Sequence, residues 1–459
     1  SSVRRCSQFH CFHGHCLPEG KADGCPLCPN AAESVSDIAS GSERLRALFW
    51  LSGLKEFCTV TVDSLSPNLL SKGKRLAEKL AAHAEQDSSG QSRLALLLQR
   101  SRSHQGQDLV PSETQRPRPP ILLSENAATH EAWQEALEEV HGNPMNLSGD
   151  VVDSLLAGSC GMPLKYRHRI WPQWLHAGER RSRAEDGGLT FAGLAADSVP
   201  EKVVCTVDAD VPRTRQDFVP ESQHEILRAL LLAIAARRPE VAYAQGMNQL
   251  AAVLLKLGFD EESSCWMLES ILEDLLPGCH HPDLHGLFRD TAVLDILLQT
   301  FLPHHAAVFS QVDVEVLWFS VDYFITLGVS DAPLSLVACL WDLCFLHGAR
   351  ALFCGILAII ELFFPVEQGK GSDPDPEDLM RDYKTSLQEA SADGFAARVL
   401  NFMHERQGGV SAELVEGLRA SLGPSSSGSE ISSAKSSPSR SPTAKQGFCP
   451  EDLGEPMTE

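Results

Sequence analysis

The sequence contains no apolar run long enough to cross a bilayer. Its longest, Ala351 to Val366, is interrupted by Glu361 and falls short of the roughly 20 residues that a spanning helix needs, so it reads as a buried core helix. Positive charge is also scarce. Lys and Arg number 39 against 61 Asp and Glu, a formal net charge of −22. Such an excess repels phosphate backbones and anionic lipid, which argues against a nucleic-acid partner. Runs alternating apolar and polar residues over strand length are missing, and so is any self-similarity at a period of roughly 30–45 residues, which sets aside β-rich and solenoid folds. No signal-peptide pattern opens the chain, and its first residue is Ser1 rather than Met. It therefore reads as a fragment or processed product, cytoplasmic or peripherally attached to endomembranes.

Hydrophobic residues make up 43% of the 459, enough for a sizeable core. The 14 cysteines do not read as a disulfide framework. Cys265, Cys339, Cys344 and Cys354 sit inside apolar helical runs, where a free thiol behaves as a small hydrophobe in a reducing compartment.

Five regions follow in chain order. Residues 1–30 are Cys/His-rich, and 43–84 carry helical periodicity over Arg44–Leu54 and Leu69–Ala84. Residues 85–125 turn to Gln, Ser, Arg, Gly and Pro, the composition of a linker, and a helix is expected over Thr129–Val140. From 150 to 405 apolar residues recur at three- and four-residue intervals. Helices are expected over Ile226–Ile234, Ala251–Leu257, Ser263–Leu276, Thr291–Phe301, Val314–Thr326, Leu334–Phe345, Ala349–Phe364 and Gly394–Met403, so this block is all-α. The segment between Ile170 and Asp210 is polar and reads as irregular. Residues 423–459 form a Ser/Pro-rich tail expected to be disordered, in which Ser437 and Ser441 precede prolines as phosphorylation sites or as incidental serines.

Two short segments carry the chemistry. Val207-Asp208-Ala209-Asp210-Val211-Pro212-Arg213-Thr214 sets a permanently charged guanidinium near the Asp210 carboxylate, with Pro212 stiffening the approach and Thr214 able to bond the local backbone. Tyr243-Ala244-Gln245-Gly246-Met247 sets a carboxamide on a turn where glycine permits close approach. Taken singly, an arginine after proline is usually a surface ion pair, and Tyr243 and Met247 could simply be core residues at a helix start. An arginine and a glutamine presented together supply what slow nucleoside-triphosphate hydrolysis lacks: charge for the phosphoryl oxygens and a group that orients water.

In order and wording the two segments resemble the arginine and glutamine fingers of the TBC family, GTPase-activating domains that act on Rab GTPases. The resemblance extends over about 157–405. It includes Gly161-Met162-Pro163 with Arg167, Arg169 and Trp171, the stretch Glu225–Leu255, and the aromatic landmarks Trp318-Phe319, Trp341-Asp342 and Leu352-Phe353, whose tryptophans are taken as core. Arg215 and Gln216 depart from it, standing where the family more often turns apolar. The resemblance implies an all-helical domain in which Arg213 and Gln245 act in trans on a GTP-bound Rab, with Asp210, Thr214, Tyr243, Gly246 and Met247 supporting them. It implies no cofactor of the domain's own, since Mg-GTP belongs to the partner, and a role in vesicle traffic. A catalytically silent Rab-binding scaffold is the rival reading.

A second constellation, His10-x₂-His13-x₂-Cys16-x₈-Cys25-x₂-Cys28, is a soft-ligand set suited to zinc. Its wording resembles the last half of a RING-type finger, which implies tethering or ubiquitin transfer as a third reading. The first ligand pair is missing, and Gln8 stands where a cysteine would precede His10. Cys6 or Cys11 could substitute, so a truncated finger and a degenerate site both stay open. His280-His281 and His304-His305 lack a completed ligand set and read as solvated histidines at helix ends.

Overall fold

The computed structural model describes residues 60–85, 127–158, 161–194, 199–364 and 376–423, together with the backbone of 3–5, 11–13 and 36–37. The expected helix Arg44–Leu54, nearly all of the linker 85–125 and the tail from 424 onward lie outside the described residues.

The fold is all-α. Its helices are α1 (Pro67–Glu85), α2 (Ala127–Glu139), α3 (Gly149–Ala157), α4 (Leu164–Trp174), α5 (Ala177–Asp186) and α6 (Glu201–Asp210). There follow α7 (His224–Arg237), α8 (Met247–Lys256), α9 (Glu261–Ser270), α10 (His285–Phe301), α11 (Pro303–Gln311) and α12 (Leu317–Thr326). The last are α13 (Leu334–His347), α14 (Ala349–Phe363), α15 (Pro376–Gln388), α16 (Phe395–His404) and α17 (Ala412–Leu422). Strand pairing among the described residues is limited to three short antiparallel pieces, Val3–Arg5 between Cys11–His13 and Ser36–Asp37.

Caps fix several helix starts. Ser148, Asp260 and Ser411 each accept from a backbone N–H one turn on, satisfying a donor that the helix itself cannot. Helices α10, α13 and α14 are buried on nearly every side and form the centre of the core. Helix α1 lies along α10, and α14 packs on both α13 and α16. No single helix among the described residues is long and apolar enough to span a membrane. The pair α10 and α11 passes that test only when joined across a 116° bend.

A buried carboxylate ties the start of the helical block to its middle. Asp342 on α13 accepts two hydrogen bonds from Arg167 (2.9 and 2.8 Å), one from Trp171 Nε1 (2.9 Å) and one from the Met162 backbone N–H (2.9 Å). Trp171 and Trp341 are fully buried, as expected, whereas Trp318 is half-buried.

The stretch expected to be irregular between Ile170 and Asp210 contains α5 and α6. Helix α5 buries only Ala177 and Ala184, so it has almost no apolar stripe to read. Arg180 holds it instead, donating to Glu273 and to both oxygens of Asp274 (2.8 and 2.7 Å).

Candidate functional site

Helix α6 runs into a tight 3₁₀ turn, Val211–Arg213. Val207 and Val211 are buried and anchor it from below, and Thr214 turns inward with its hydroxyl donating to the Asp210 carbonyl (3.0 Å). Alternation around this turn leaves Arg213 outside. It is exposed, and among the described residues its guanidinium makes no hydrogen bond or ion pair. Arg228 on α7 donates to both oxygens of Asp208 (2.5 and 3.3 Å), which fixes the end of α6 against α7.

The sequence reading gave Asp210 the task of orienting Arg213. In the structure Asp210 is 7% exposed, and its Oδ2 accepts the Tyr243 hydroxyl at 2.9 Å. A carboxylate at the buried end of α6 faces the neighbouring loop, whereas Arg213 faces solvent. Burial, together with the Asp210 charge and hydrogen bond, raises the Tyr243 pKa well above its ordinary value, so the hydroxyl stays a donor.

Helix α7 stops before Pro239, and the chain crosses to α8 through Ala242 (φ 55°) and Gly246 (φ 109°). Gly246 is required twice over. Its backbone angle suits glycine, and a Cβ there would sit 2.4 Å from Ile325 Cγ2 on α12. Met247 is fully buried beneath the loop, its Sδ accepting the Ala244 N–H at 3.5 Å. Gln245 is half-buried, and its side chain has no hydrogen-bond partner among the described residues.

Asn248, which the sequence reading missed, joins the two loops. Its Nδ2 donates to Thr214 Oγ1 (2.8 Å) while its Oδ1 accepts the Gly246 N–H (3.1 Å). An amide in the otherwise apolar face of α8 was the available signal. Arg213 thus lies between Asp210 and Thr214, and Gln245 between Tyr243 and Asn248, and these flanking residues are bonded across the gap in both pairs. The departing Arg215 also has a place. It lies over the Phe218 ring (3.8 Å), pairs with Asp217 and donates to the Val329 carbonyl (3.0 Å), pinning the arginine loop to the turn after α12.

Of the zinc candidates, His10, Cys16, Cys25 and Cys28 lie outside the described residues, and His13 is described only as backbone of the strand Cys11–His13. His280 is not the solvated residue expected. It is 4% exposed, its Nε2 lies 3.0 Å from the Ile325 carbonyl, and burial holds its pKa down at about 4. His304 is exposed at the start of α11.

The Rab-GTPase-TBC domain family matches residues 164–366. Human small G protein signaling modulator 3 is 28% identical over 257 residues, covering 52% of this chain and 34% of that protein. Human growth hormone-regulated TBC protein 1 is 28% identical over 207 residues, covering 44% of this chain and 61% of that protein. The chain therefore spans about a third of the modulator's length and under two thirds of the TBC protein's. Among solved structures, the Chlamydomonas flagellar RabGAP TBC domain aligns with a TM-score of 0.50 at 20% identity, covering 60% of this chain and 91% of that one, which is a likeness of fold. Residues 164–366 are a Rab-GTPase-TBC domain, and both loops that carry Arg213 and Gln245 lie within it.

Proposed function

We propose that this chain is a GTPase-activating protein for Rab-family small GTPases, acting on the GTP-bound partner in trans and so on vesicle traffic. The observation that carries the reading is the pair of cross-loop bonds, Tyr243 to Asp210 and Asn248 to Thr214, which hold the arginine and glutamine loops together. Between them stand a guanidinium and a carboxamide that spend no hydrogen bond within the chain's described residues.

In this mechanism Arg213 neutralises charge that builds on the transferring phosphoryl group, and Gln245 orients the attacking water. Mg²⁺ comes with the partner's nucleotide. An arginine finger is worth roughly a thousand- to a hundred-thousand-fold in rate, or about 4–7 kcal/mol of barrier. Holding both loops in place before docking matters because a mobile side chain loses entropy when it binds.

The test is single-turnover GTP hydrolysis on a panel of Rab GTPases with wild type, Arg213→Ala, Arg213→Lys and Gln245→Ala. Wild type should accelerate at least one panel member, and each substitution should remove most of the effect. Lysine should not rescue, because an ammonium lacks the planar fork that contacts two oxygens. Acceleration that survives all three substitutions would reject the two-finger mechanism.

A further inference from the structure

We infer that His281, Asp283 and His285 form a binding site for a borderline divalent transition-metal ion, of which Zn²⁺ and Co²⁺ are examples. The three residues lie within five positions of sequence, His281 and Asp283 in the loop that leads into α10 and His285 at its first position. His281 Nδ1 and His285 Nδ1 lie 2.7 and 2.6 Å from the same oxygen of Asp283, and one ligand atom from each residue falls within 4.8 Å of the others. Side-chain exposures of 37% for His281, 52% for Asp283 and 40% for His285 leave the cluster open to an arriving ion.

Capping the helix does not account for this arrangement. Asp283 Oδ1 accepts the His285 backbone N–H at 3.1 Å, which by itself satisfies a free donor at the start of α10. Two imidazole nitrogens turned onto that oxygen are surplus to the cap. The positive end of the helix dipole disfavours a cation there, but the ionised carboxylate at the same point opposes it. Two imidazole nitrogens with one carboxylate oxygen suit zinc and its neighbours, whereas Ca²⁺ and Mg²⁺ prefer all-oxygen sets.

The loop is fixed before any ion arrives. Cys279 and His280 are buried, and His280 reaches the Ile325 carbonyl. Leu284 is 2% exposed with φ 57°, and Arg289 donates to the Pro277 carbonyl (3.1 Å). Gly278 (φ +78°) lies against the His285 ring, where a Cβ would fall 2.2 Å from Nε2. The loop backbone and the His285 imidazole are therefore held near their liganding positions, which lowers the ordering entropy that remains to be lost. A metal bound at each Nδ1 requires the neutral ring to carry its proton on Nε2, so a proton held on Nδ1 moves to Nε2 by exchange with solvent, and three protein ligands leave a coordination position for water.

The experiment uses the full chain, stripped with chelator under reducing conditions and then dialysed against ZnCl₂. Bound metal is counted in wild type, in His281→Gln/His285→Gln and in Asp283→Asn, each checked for helical content by circular dichroism. The double substitution should bind one equivalent less than wild type, whatever the Cys/His-rich segment contributes. The missing equivalent should appear with Co²⁺ as a species lacking thiolate charge-transfer absorption. Asp283→Asn keeps the capping oxygen and should weaken that equivalent while the helices stay intact. Equal zinc in wild type and either folded variant would overturn the assignment.

Discussion

Asn248 Nδ2 lies 2.8 Å from Thr214 Oγ1, and Asn248 is 4% exposed and Thr214 1%. One buried amide on α8 therefore sets the height of the arginine loop while its other end receives the N–H of Gly246 in the glutamine loop. Removing the amide strands the buried Gly246 N–H, at about 1–3 kcal/mol if it finds no other partner, and takes the incoming bond from Thr214, whose hydroxyl keeps its bond to the Asp210 carbonyl. Asn248→Ala is expected to lower both the urea midpoint and the acceleration of GTP hydrolysis. The maximal rate should fall at least about tenfold once the two loops are uncoupled, since a displacement near 1 Å can cost more than that. A variant that is destabilised but fully active would show that the bridge holds the fold and not the proposed pair of Arg213 and Gln245.

Arg213→Ala should behave in the opposite way. The side chain is exposed and unbonded among the described residues, and substitutions at such positions usually stay within about 0.5 kcal/mol of wild-type stability. Chemical denaturation should be unchanged while stimulation of the partner is lost. A stability loss well above that range would mean that the guanidinium serves the fold.

Gly246→Ala adds a Cβ 2.4 Å from Ile325 Cγ2 at a backbone angle of +109°. Strain in the backbone alone is worth about 1–3 kcal/mol, and the collision adds to it. Ile325→Ala removes the colliding methyl but leaves the backbone angle untouched. Ile325 is fully buried and its truncation costs stability of its own, so the double substitution should cost less than the sum of the two single ones, as read from thermal unfolding.

Much of this was legible in the sequence because the helices that matter most are long and strongly periodic. Leu334–Phe345 and Ala349–Phe364 were expected almost as they stand, since a helix buried on most sides leaves little ambiguity. Helix α5 was invisible because ion pairs, not an apolar stripe, hold it. The two loops that carry Arg213 and Gln245 were readable from local wording, but the bonds that join them were not. A carboxylate three residues from an arginine suggests a local pair, and only the fold reveals that Asp210 reaches Tyr243 across the gap between the loops. The role of Asn248 was hidden for the same reason, because both of its partners come from packing rather than spacing.

Helix α17 lies beyond residue 405, where the helical block was expected to end, yet Arg419 donates to both oxygens of the fully buried Asp290 (3.1 and 2.6 Å). Removing one partner of a buried pair costs about 3–5 kcal/mol. Arg289 still donates to Asp290 (2.7 Å), which places Arg419→Met near the lower figure. Denaturant unfolding of that variant checks the magnitude. A cost below about 1 kcal/mol would mean that the buried Leu414, Val415 and Leu418, and not this ion pair, hold α17 to the core.

Asp153 on α3 links two later helices, its oxygens lying 2.6 Å from His347 Nε2 and 3.4 Å from His404 Nε2. Burial pushes its pKa up, but hydrogen bonds and charge from the two histidines outweigh burial and bring it from 3.8 down to about 2. A carboxylate depressed in the folded state stabilises fully above its unfolded pKa and loses that contribution as pH falls from about 4 through about 2. The shift corresponds to about 2 kcal/mol once the carboxylate is fully ionised, near about pH 5, an upper figure because the group keeps some contact with solvent. Urea unfolding of wild type and Asp153→Asn should differ by up to that amount near about pH 5. The gap should shrink to about half by about pH 3 as the wild-type carboxylate takes up its proton. A gap that stays constant over this range would mean that the aspartate contributes through packing alone.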